Sequence, residues 1–501
     1  MTTFSGFNPV TGESIGTYRA ATPDDVSRTA RAASGAFAEF ASLPGERRGA
    51  FLGAAADAIA GLGDELLAVA SRETGLAATP RLAGERDRTV FQLRMFADMA
   101  RDGSWAELVI DPANPTRAPL PKPDLRRVLR PLGPVAVFGA SNFPLAYSVA
   151  GGDTASALAS GCPVIVKGHP AHPGTGEMVA RAVHDAAIRT GMPGGVFAFL
   201  HAGGDRDHAV GKELVTHPAI KAVGFTGSPA GGMALVRLAA DRPEPIPVFA
   251  EMGSVNPVLV LPSALGSADQ AAPLAEKLAA SAVMSGGQMC TCPGLIFAVG
   301  GPAFEAFAAA LSASFAKSSP VAMLSPRVRE GFTRRLFEIG HAAGVMTLAG
   351  QNDQRTTLMP PITPTLLRTS SAAFVSTPTL AEECFGPAAI LVECTDTADM
   401  LVALANVQGS LTGTLWCDPA DADAPAALAC LEARVGRIIF AGVPTGVEVS
   451  PAMVHGGPYP ACNRPDTSAV GPLAIRRWCR PVCYQNVPTE LLSASLSQGV
   501  R

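Results

Sequence analysis

The distribution of hydrophobic positions changes its character near residue 133. Before it, residues 22–62 and 63–101 are rich in alanine, with apolar side chains at the spacing that predicts long amphipathic helices. Thr22 and Pro23, followed by acidic residues, are a typical helix start. The segment 111–123 contains several prolines, which predicts a linker or an edge ribbon.

Between residues 133 and 251, short apolar runs alternate with helical segments. The runs predict buried strands at 134–138, 163–167, 196–200, 219–226 and 247–251. Helices are predicted between them at about 149–160, 175–190, 205–216 and 228–240. This alternation is typical of a parallel sheet covered on both faces, in which ligands bind beyond the carboxyl ends of the strands. The polar or small residues that fall there are Asn142, Lys167, Gly227 and Glu251.

After residue 254 the alternation continues less regularly, which predicts a second α/β domain. Strands are predicted at 257–261, 294–299, 389–393, 411–416 and 437–441. Helices are predicted at 268–284 and 303–317. The chain beyond about residue 451 is interrupted by glycine and proline.

Composition narrows the class of protein. A chain of 501 residues with 48% hydrophobic residues can form large cores, which excludes a disordered chain or a disulfide-stapled mini-fold. The net charge of −4 disfavours nucleic-acid binding and a polybasic membrane surface. No apolar run approaches the roughly 20 residues of a membrane-spanning helix, and the first residues lack the pattern of a secretory signal. We therefore expect a cytoplasmic globular protein.

The cysteines offer one candidate for chemistry. None of the 10 cysteines forms a C-x-x-C pair or a Cys/His group, so no metal site is predicted and most should be reduced and buried. Cys290 lies in a glycine-flanked turn, 285–294, where main-chain N–H groups are exposed. It is a nucleophile if its thiolate is stabilised; taken alone, the segment equally fits a buried turn cysteine.

Other candidates are weak one by one. The turn 225–232 has small residues where a pyrophosphate can reach a helix N-terminus, but it lacks G-x-G-x-x-G spacing and also fits an ordinary turn. Lys167 can meet a phosphate or a ribose, or simply be solvated. Glu251 is a general base if burial raises its pKa, and a surface glutamate otherwise. The segment 382–387 also fits a solvated turn.

The order of these motifs is more informative than any one of them. The chain resembles the aldehyde dehydrogenase superfamily over nearly its whole length, through 7–13, 142–144, Lys167, 225–228, Glu251, 287–291 and 383–387. The resemblance implies an α/β fold with two Rossmann-like parallel-sheet domains. The implied cofactor domain comprises 1–112 and 131–253, the catalytic domain 254–450, and a small oligomerisation element 113–130 and 451–501. A homodimer or a homotetramer is expected.

The resemblance also implies roles in catalysis. Cys290 would add to the aldehyde carbonyl and form a thiohemiacetal, with Asn142 and the Cys290 main-chain N–H as the oxyanion hole. After hydride transfer leaves a thioester, Glu251 would activate the water that releases a carboxylic acid. Relatives that acylate coenzyme A lack this base, so water is the expected acyl acceptor.

A nicotinamide cofactor is implied in the same way. Glu383 would bind the nicotinamide ribose and Phe385 would pack near the ring. Lys167 would contact the adenosine ribose, and Gly227 and Ser228 would meet the pyrophosphate.

Three positions depart from the family pattern. Pro170 stands where many NAD-preferring members have a glutamate, and Lys167 with a nearby histidine would attract a 2′-phosphate, so NADP is preferred to NAD, with NAD as the alternative. Ser254 replaces a usual glycine. Cys292 is unusual and is either a redox partner of Cys290 or an inert turn cysteine.

Further motifs narrow the substrate. The segments that resemble the branch of 2-oxoglutarate semialdehyde dehydrogenases are 138–145, 148–154, 444–447, 455–460 and 480–486. That branch also contains NADP-dependent fatty aldehyde dehydrogenases, which is the alternative; a cofactor-independent cysteine esterase and a fold relative without catalysis are less favoured. A dicarboxylate product requires a cation near the substrate tunnel. The candidates, among which spacing does not choose, are Arg81, Arg86, Arg88 and Arg94.

Overall fold

A computed structural model describes residues 2–266, 268–355 and 361–497. Its first part is a β-hairpin followed by helices and two short strands. The elements are β1 (Thr3–Phe7), β2 (Ser14–Arg19), α1 (Pro23–Ser42), α2 (Gly45–Gly61), α3 (Gly63–Thr74), α4 (Ala83–Asp102), β3 (Val109–Asp111) and β4 (Leu125–Pro131). The predicted long helical regions are therefore divided. Pro44 separates α1 from α2, and Gly75, at φ 70°, ends α3 in the left-handed conformation that favours glycine.

Residues 135–251 form a parallel sheet flanked by helices, as predicted. The elements are β5 (Val135–Phe138), α5 (Gly152–Ser160), β6 (Val164–Lys167), α6 (Pro173–Arg189), β7 (Phe197–Leu200), α7 (Asp207–Thr216), β8 (Ala222–Thr226), α8 (Pro229–Ala240) and β9 (Val248–Glu251). Every predicted strand and helix of this region is confirmed, with boundaries that move by a few residues. The strand order is β7-β6-β5-β8-β9. Strands β6 and β7 are therefore added on one side of β5, and β8 and β9 on the other. This reversal of strand order is a topological switch point, which creates a ligand crevice beyond the carboxyl ends of the strands.

A second, larger sheet follows. Its strands are β10 (Val258–Val260), β11 (Leu295–Val299), β12 (Met346–Ala349), β13 (Thr365–Ser370), β14 (Ala388–Cys394), β15 (Ser410–Trp416) and β16 (Val435–Phe440), in the order β12-β13-β14-β11-β10-β15-β16. Its helices are α9 (Ala268–Val283), α10 (Pro302–Lys317), α11 (Pro326–Gly340), α12 (Ser371–Ser376), α13 (Thr397–Ala405) and α14 (Ala424–Glu432). Strand β12 is antiparallel to β13 and the other pairs are parallel. The predicted α/β fold with two parallel-sheet units is confirmed.

A small third sheet joins the two regions predicted to form an oligomerisation element. Strand β17 (Cys479–Gln485) pairs antiparallel with β4, which also pairs with β3. The last described helix is α15 (Ala494–Ser497). Residues 1, 267, 356–360 and 498–501 of the predicted domains lie outside the described residues. No helix in the described ranges has the length and apolarity needed to cross a bilayer.

Candidate active site

The predicted catalytic residues come from both large sheets. Asn142 follows β5, and Glu251 is the last residue of β9, so both lie at the carboxyl edge of the five-stranded sheet. Cys290 lies in the turn between α9 and β11 of the other sheet. The side-chain amide of Asn142 donates to the main-chain oxygen of Gln288 at 3.0 Å. The two sheets therefore meet at a cleft that brings the oxyanion-hole candidate beside the nucleophile turn.

The turn that carries Cys290 needs glycine for two reasons. Gly287 has φ +65°, and a Cβ at this position would come within 2.3 Å of the main chain of Gly386. The turn is also held from inside, because the amide of Asn256 donates to the carbonyl oxygens of Cys290 and Cys292, each at 2.8 Å. Asn256, which follows Glu251 by five residues, was not among the predicted site residues, but its side chain fixes the direction of the turn.

A buried ion pair connects the Asn142 loop to the Cys290 turn. Arg81 donates to the carbonyl oxygen of Asn142 at 3.0 Å and to Oγ of Ser285 at 3.1 Å. Its guanidinium pairs with Glu85 at 2.5 Å. The other carboxylate oxygen of Glu85 accepts from the main-chain N–H groups of Leu145 and Ala146 at 2.8 and 2.9 Å. The pair thus sets the spacing between the two loops on which an oxyanion hole depends.

The thiol of Cys290 is protonated at neutral pH. The residue is partly exposed, yet burial by the surrounding protein, followed by the charges of Glu383 and Glu251, raises the pKa of the thiol to about 12. A nucleophilic thiolate must therefore be generated by a base.

A histidine that the sequence analysis used only as part of a motif lies beside this thiol. Nε2 of His455 is 3.8 Å from Sγ of Cys290. Burial, with the nearby charges of Arg88 and Arg437, lowers the pKa of His455 to about 3. The imidazole is therefore neutral and a poor proton acceptor, so it orients the thiol rather than ionising it.

Glu251 has the properties of a general base. It is buried, with 6% of its surface exposed, and its Oε2 has no hydrogen-bond partner among the described residues. Burial raises the pKa of its carboxyl to about 8, against the opposing charge of Arg477. Its charge also contributes to the raised pKa of the Cys290 thiol. The carboxylate form, which accepts a proton in general-base catalysis, therefore predominates above about pH 8.

The predicted cofactor residues of the first sheet lie on either side of β5. Lys167 ends β6, and Gly227 and Ser228 follow β8, where Ser228 caps α8 by accepting from the N–H of Gly231 at 3.2 Å. The N-terminus of α8 therefore lies at the switch-point crevice, where the helix dipole favours an anion. Lys167 is not free, because its ammonium pairs with Asp207 at 2.5 Å.

One expectation about this region is wrong. A histidine near Lys167 was expected to add positive charge, but burial, together with the charges of His172 and Lys167, lowers the pKa of His169 well below its usual value. His169 is therefore neutral. His172 is buried, with Nε2 at 2.8 Å from the carbonyl oxygen of Ala140.

Glu383 and Phe385 approach from the second sheet. They line one pocket together with Met289 and Cys292 of the nucleophile turn. Burial raises the pKa of Glu383 to about 7. A Cβ on Gly253 would come within 2.7 Å of Oε2 of Glu383, so this carboxylate lies against the loop after Glu251.

Cys292 and Ser254, two departures from the family pattern, both have structural contacts. Sγ of Cys292 donates to the carbonyl oxygen of Ala282 at 3.3 Å, and burial raises the pKa of its thiol. Ser254 donates to Oδ1 of Asn256 at 2.8 Å and accepts from the N–H of Leu411 at 2.9 Å. Ser254 therefore supports the residue that holds the Cys290 turn.

The arginines proposed for a distal carboxylate have different surroundings. Arg81 is committed to Glu85, Arg86 pairs with the adjacent Asp87, and Arg94 pairs with Asp57 at the surface. Arg88 instead donates to the hydroxyl of Tyr147 at 3.1 Å, and its charge lowers the pKa of the Cys290 thiol.

Comparison with solved structures identifies the fold. Among solved structures, an aldehyde dehydrogenase from Pseudomonas syringae in complex with NAD+ and octanal has a TM-score of 0.81 at 20% identity, covering 97% of this chain and 94% of that one. A 1-pyrroline-5-carboxylate dehydrogenase from Thermus with bound NAD has a TM-score of 0.82 at 22% identity, covering 97% and 90%. These likenesses define the fold as that of the aldehyde dehydrogenases.

The sequence comparisons establish the family. The profile described as "Aldehyde dehydrogenase family" matches residues 1–453. The α-ketoglutaric semialdehyde dehydrogenase 2 of Azospirillum brasilense is 45% identical over 500 residues, covering 99% of this chain and 94% of that protein. The α-ketoglutaric semialdehyde dehydrogenase of Acinetobacter baylyi is 43% identical, covering 96% and 90%. The chain belongs to the aldehyde dehydrogenase family and is an oxidoreductase.

Proposed function

We propose that this protein oxidises 2-oxoglutarate semialdehyde (2,5-dioxopentanoate) to 2-oxoglutarate, with Cys290 as nucleophile and a nicotinamide cofactor as hydride acceptor. The observation that carries the proposal is the meeting of a thiol, a buried unpartnered carboxylate and a side-chain amide at one cleft. The relatives from Azospirillum and Acinetobacter, which are named for this substrate, support the choice of aldehyde.

The first step is addition of sulfur to the carbonyl carbon. Glu251 accepts the thiol proton, and the thiolate of Cys290 adds to the aldehyde to give a thiohemiacetal. The negative oxygen is stabilised by the amide of Asn142 and the main-chain N–H of Cys290; losing one such donor typically costs about 3 kcal/mol of transition-state stabilisation. His455 holds the thiol in its attacking direction without taking its proton.

A nicotinamide held by these residues would supply a hydride acceptor, and loss of hydride from the thiohemiacetal carbon would leave a thioester on Cys290. Glu251, once it has released the thiol proton to solvent, removes a proton from a water molecule. The hydroxide attacks the thioester carbon and the carbon–sulfur bond breaks, which returns the Cys290 thiolate and releases the acid. The buried position of Glu251 favours water over a bulky thiol as the acyl acceptor.

The chain's own residues fit a dinucleotide. Gly227 and Ser228 offer a helix N-terminus for the pyrophosphate, and Lys167 an ammonium for the adenosine ribose. Glu383 offers a carboxylate for the nicotinamide ribose, with Phe385 beside it.

The choice between NADP and NAD depends on Lys167. A proline at position 170 presents no carboxylate to a 2′-phosphate, which supports NADP. Asp207, paired with Lys167, opposes part of that attraction. We therefore propose a modest preference for NADP, with NAD also used.

Domain roles and assembly are proposals of the same kind. Residues 1–112 and 131–253 would form the cofactor domain and 254–450 the catalytic domain. Residues 113–130 and 451–501 would form the oligomerisation element. Its sheet, β17-β4-β3, would form the contacts between subunits of a cytoplasmic homodimer or homotetramer. Sedimentation velocity of the purified protein tests the assembly.

Steady-state kinetics test the proposed function. The rates of NADH and NADPH formation would be measured in parallel with 2,5-dioxopentanoate, succinic semialdehyde, glycolaldehyde and hexanal. We expect the highest kcat/KM with 2,5-dioxopentanoate. A much higher value with hexanal would assign the protein to fatty aldehydes instead, and ester hydrolysis without cofactor as the main activity would contradict a dehydrogenase.

A further inference from the structure

Two guanidinium groups lie near Cys290 without an acidic partner in the described ranges. Arg88, on α4, donates through Nη1 to the carbonyl oxygen of Val447 at 2.7 Å and through Nη2 to Tyr147 at 3.1 Å. Arg437, on β16, donates to the carbonyl oxygens of Gly446 at 2.9 Å and Pro444 at 2.7 Å. Both cations are partly buried and are thus held by neutral groups.

The two guanidinium groups differ in the N–H donors that remain for a ligand. Both terminal nitrogens of Arg437 are committed to the loop 444–447, so this side chain fixes the loop. Nε of Arg88 is buried and has no partner among the described residues, while its Nη2 makes one bond. The edge of Arg88 formed by Nε and Nη2 therefore retains N–H donors in the geometry that a carboxylate accepts as a bidentate pair.

Both positive charges also act on the nucleophile's surroundings. The charge of Arg88 lowers the pKa of the Cys290 thiol, and Arg88 and Arg437 both lower the pKa of His455. Burial and the charge of Arg88 lower the pKa of Arg437. Arg88 and Arg437 therefore place two positive charges that act on each other beside the nucleophile, and a bound anion would relieve their repulsion.

The neighbouring arginines on α4 serve as a comparison within the same helix. Arg86 and Arg94 each have an acidic partner, Asp87 and Asp57, at 2.9 Å. Their positive charge is already compensated. Arg88 is the arginine of this group that points toward Tyr147, whose ring centroid is 6.0 Å from that of His455.

We propose that Arg88 binds the distal carboxylate of the substrate and that Arg437 is a positioning residue, which holds the loop 444–447 against Arg88. This inference rests on the proposed function and names the residue that would select the substrate. The enzyme would select aldehydes that carry a carboxylate at the far end of a short chain. The 2-oxo acid group of 2,5-dioxopentanoate provides such a carboxylate.

Substrate selectivity of Arg88→Gln tests the proposal. The measured quantity is the ratio of kcat/KM for 2,5-dioxopentanoate to kcat/KM for pentanal, an uncharged aldehyde of the same chain length. Since a change in thiol pKa affects both aldehydes, the ratio isolates the carboxylate. We expect it to fall about 100-fold, mainly through KM for the acid. Arg88→Lys keeps the charge without the fork and should lower the ratio about tenfold.

Arg94→Gln is the matched control on the same helix and should leave the ratio unchanged. An unchanged ratio in Arg88→Gln would overturn the proposal, whether kcat/KM falls equally for both aldehydes or does not change. The same holds for a ratio that is unchanged in both Arg88→Gln and Arg88→Lys. For Arg437→Met we expect a smaller fall in the ratio, because Arg88 keeps its own donors.

An inhibition experiment separates this inference from the proposed function. If wild-type enzyme favours pentanal, the proposed substrate is wrong, but the anion site is still tested by 2-oxoglutarate as an inhibitor of pentanal oxidation. Arg88→Gln should raise the inhibition constant about 100-fold. Equal inhibition of wild type and Arg88→Gln would contradict the site whichever aldehyde is preferred.

Discussion

The carboxylate of Glu85 pairs with the guanidinium of Arg81 at 2.5 Å, and through this pair the Asn142 loop is joined to the Cys290 turn. Only 1% of the Glu85 side chain is exposed. A charge buried this deeply is strongly destabilising when its partner is lost. The pair is therefore important both for folding and for the spacing of the catalytic groups.

Glu85→Gln should destabilise the protein and slow catalysis. The substitution leaves Arg81 without a counter-charge, and we expect the free energy of unfolding to fall by about 3 kcal/mol, with a lower kcat because the Asn142 loop loses its support. Urea unfolding and steady-state kinetics measure the two effects. Asp57→Asn, which removes an exposed partner of Arg94, should change stability by less than about 1 kcal/mol. Equal stability of Glu85→Gln and wild type would contradict the bracing role.

The turnover rate should depend on the ionisation of Glu251. Burial raises the pKa of this carboxyl to about 8, so it is mostly protonated, and unable to act as a base, below that pH. We expect kcat to rise with pH and to level off above about pH 8 where hydrolysis of the thioester limits the rate. The pH profile of kcat measures this, and a flat profile from pH 6 to 9 would be evidence against Glu251 as the base.

The free enzyme should resist alkylation at Cys290. Because the pKa of its thiol is about 12, little thiolate exists at pH 7. Iodoacetamide should modify glutathione added to the same sample at least about 100-fold faster than Cys290 at this pH, and modification of Cys290 should accelerate steadily up to pH 10. Peptide mass spectrometry gives both rates in one sample. Comparable rates at pH 7 would mean that the resting thiol is already ionised.

Asp207 should limit the preference for NADP. Asp207→Asn removes the negative charge paired with Lys167, and the freed ammonium would attract a 2′-phosphate. We expect the ratio of kcat/KM for NADP to that for NAD to rise about tenfold, which corresponds to about 1.4 kcal/mol. Glu213→Gln, which alters another carboxylate of α7, paired with Arg206, is the control. An unchanged ratio in Asp207→Asn would remove Lys167 from the account of cofactor choice.

The fold could be predicted in detail where apolar strands alternate with helices. From β5 to α10 every predicted element was found, because fully buried parallel strands are continuous apolar runs. Strands β1, β2 and β17 were not predicted, since they lie at edges and mix exposed with buried residues. Their pairing depends on distant partners, which local patterns do not encode.

The residues of the candidate site likewise fall into those predicted from local sequence and those that only the structure reveals. Cys290, Glu251 and Asn142 were predicted from local motifs and their order. Asn256 and His455 act through contacts with residues far away in sequence, so only the structure places them at the Cys290 turn. The same is true of Arg88, whose difference from Arg86 and Arg94 lies entirely in its neighbours.

Trapping of the covalent intermediate tests the central claim most directly. Wild-type enzyme would be mixed with 2,5-dioxopentanoate and cofactor and quenched in acid as soon as the first equivalent of reduced cofactor has formed, and the protein analysed by intact mass and peptide mapping. The account predicts one equivalent of reduced cofactor and one 2-oxoglutaryl group on the peptide that contains Cys290, with neither formed in Cys290→Ala. Acylation of another residue, or undiminished turnover in Cys290→Ala, would contradict it.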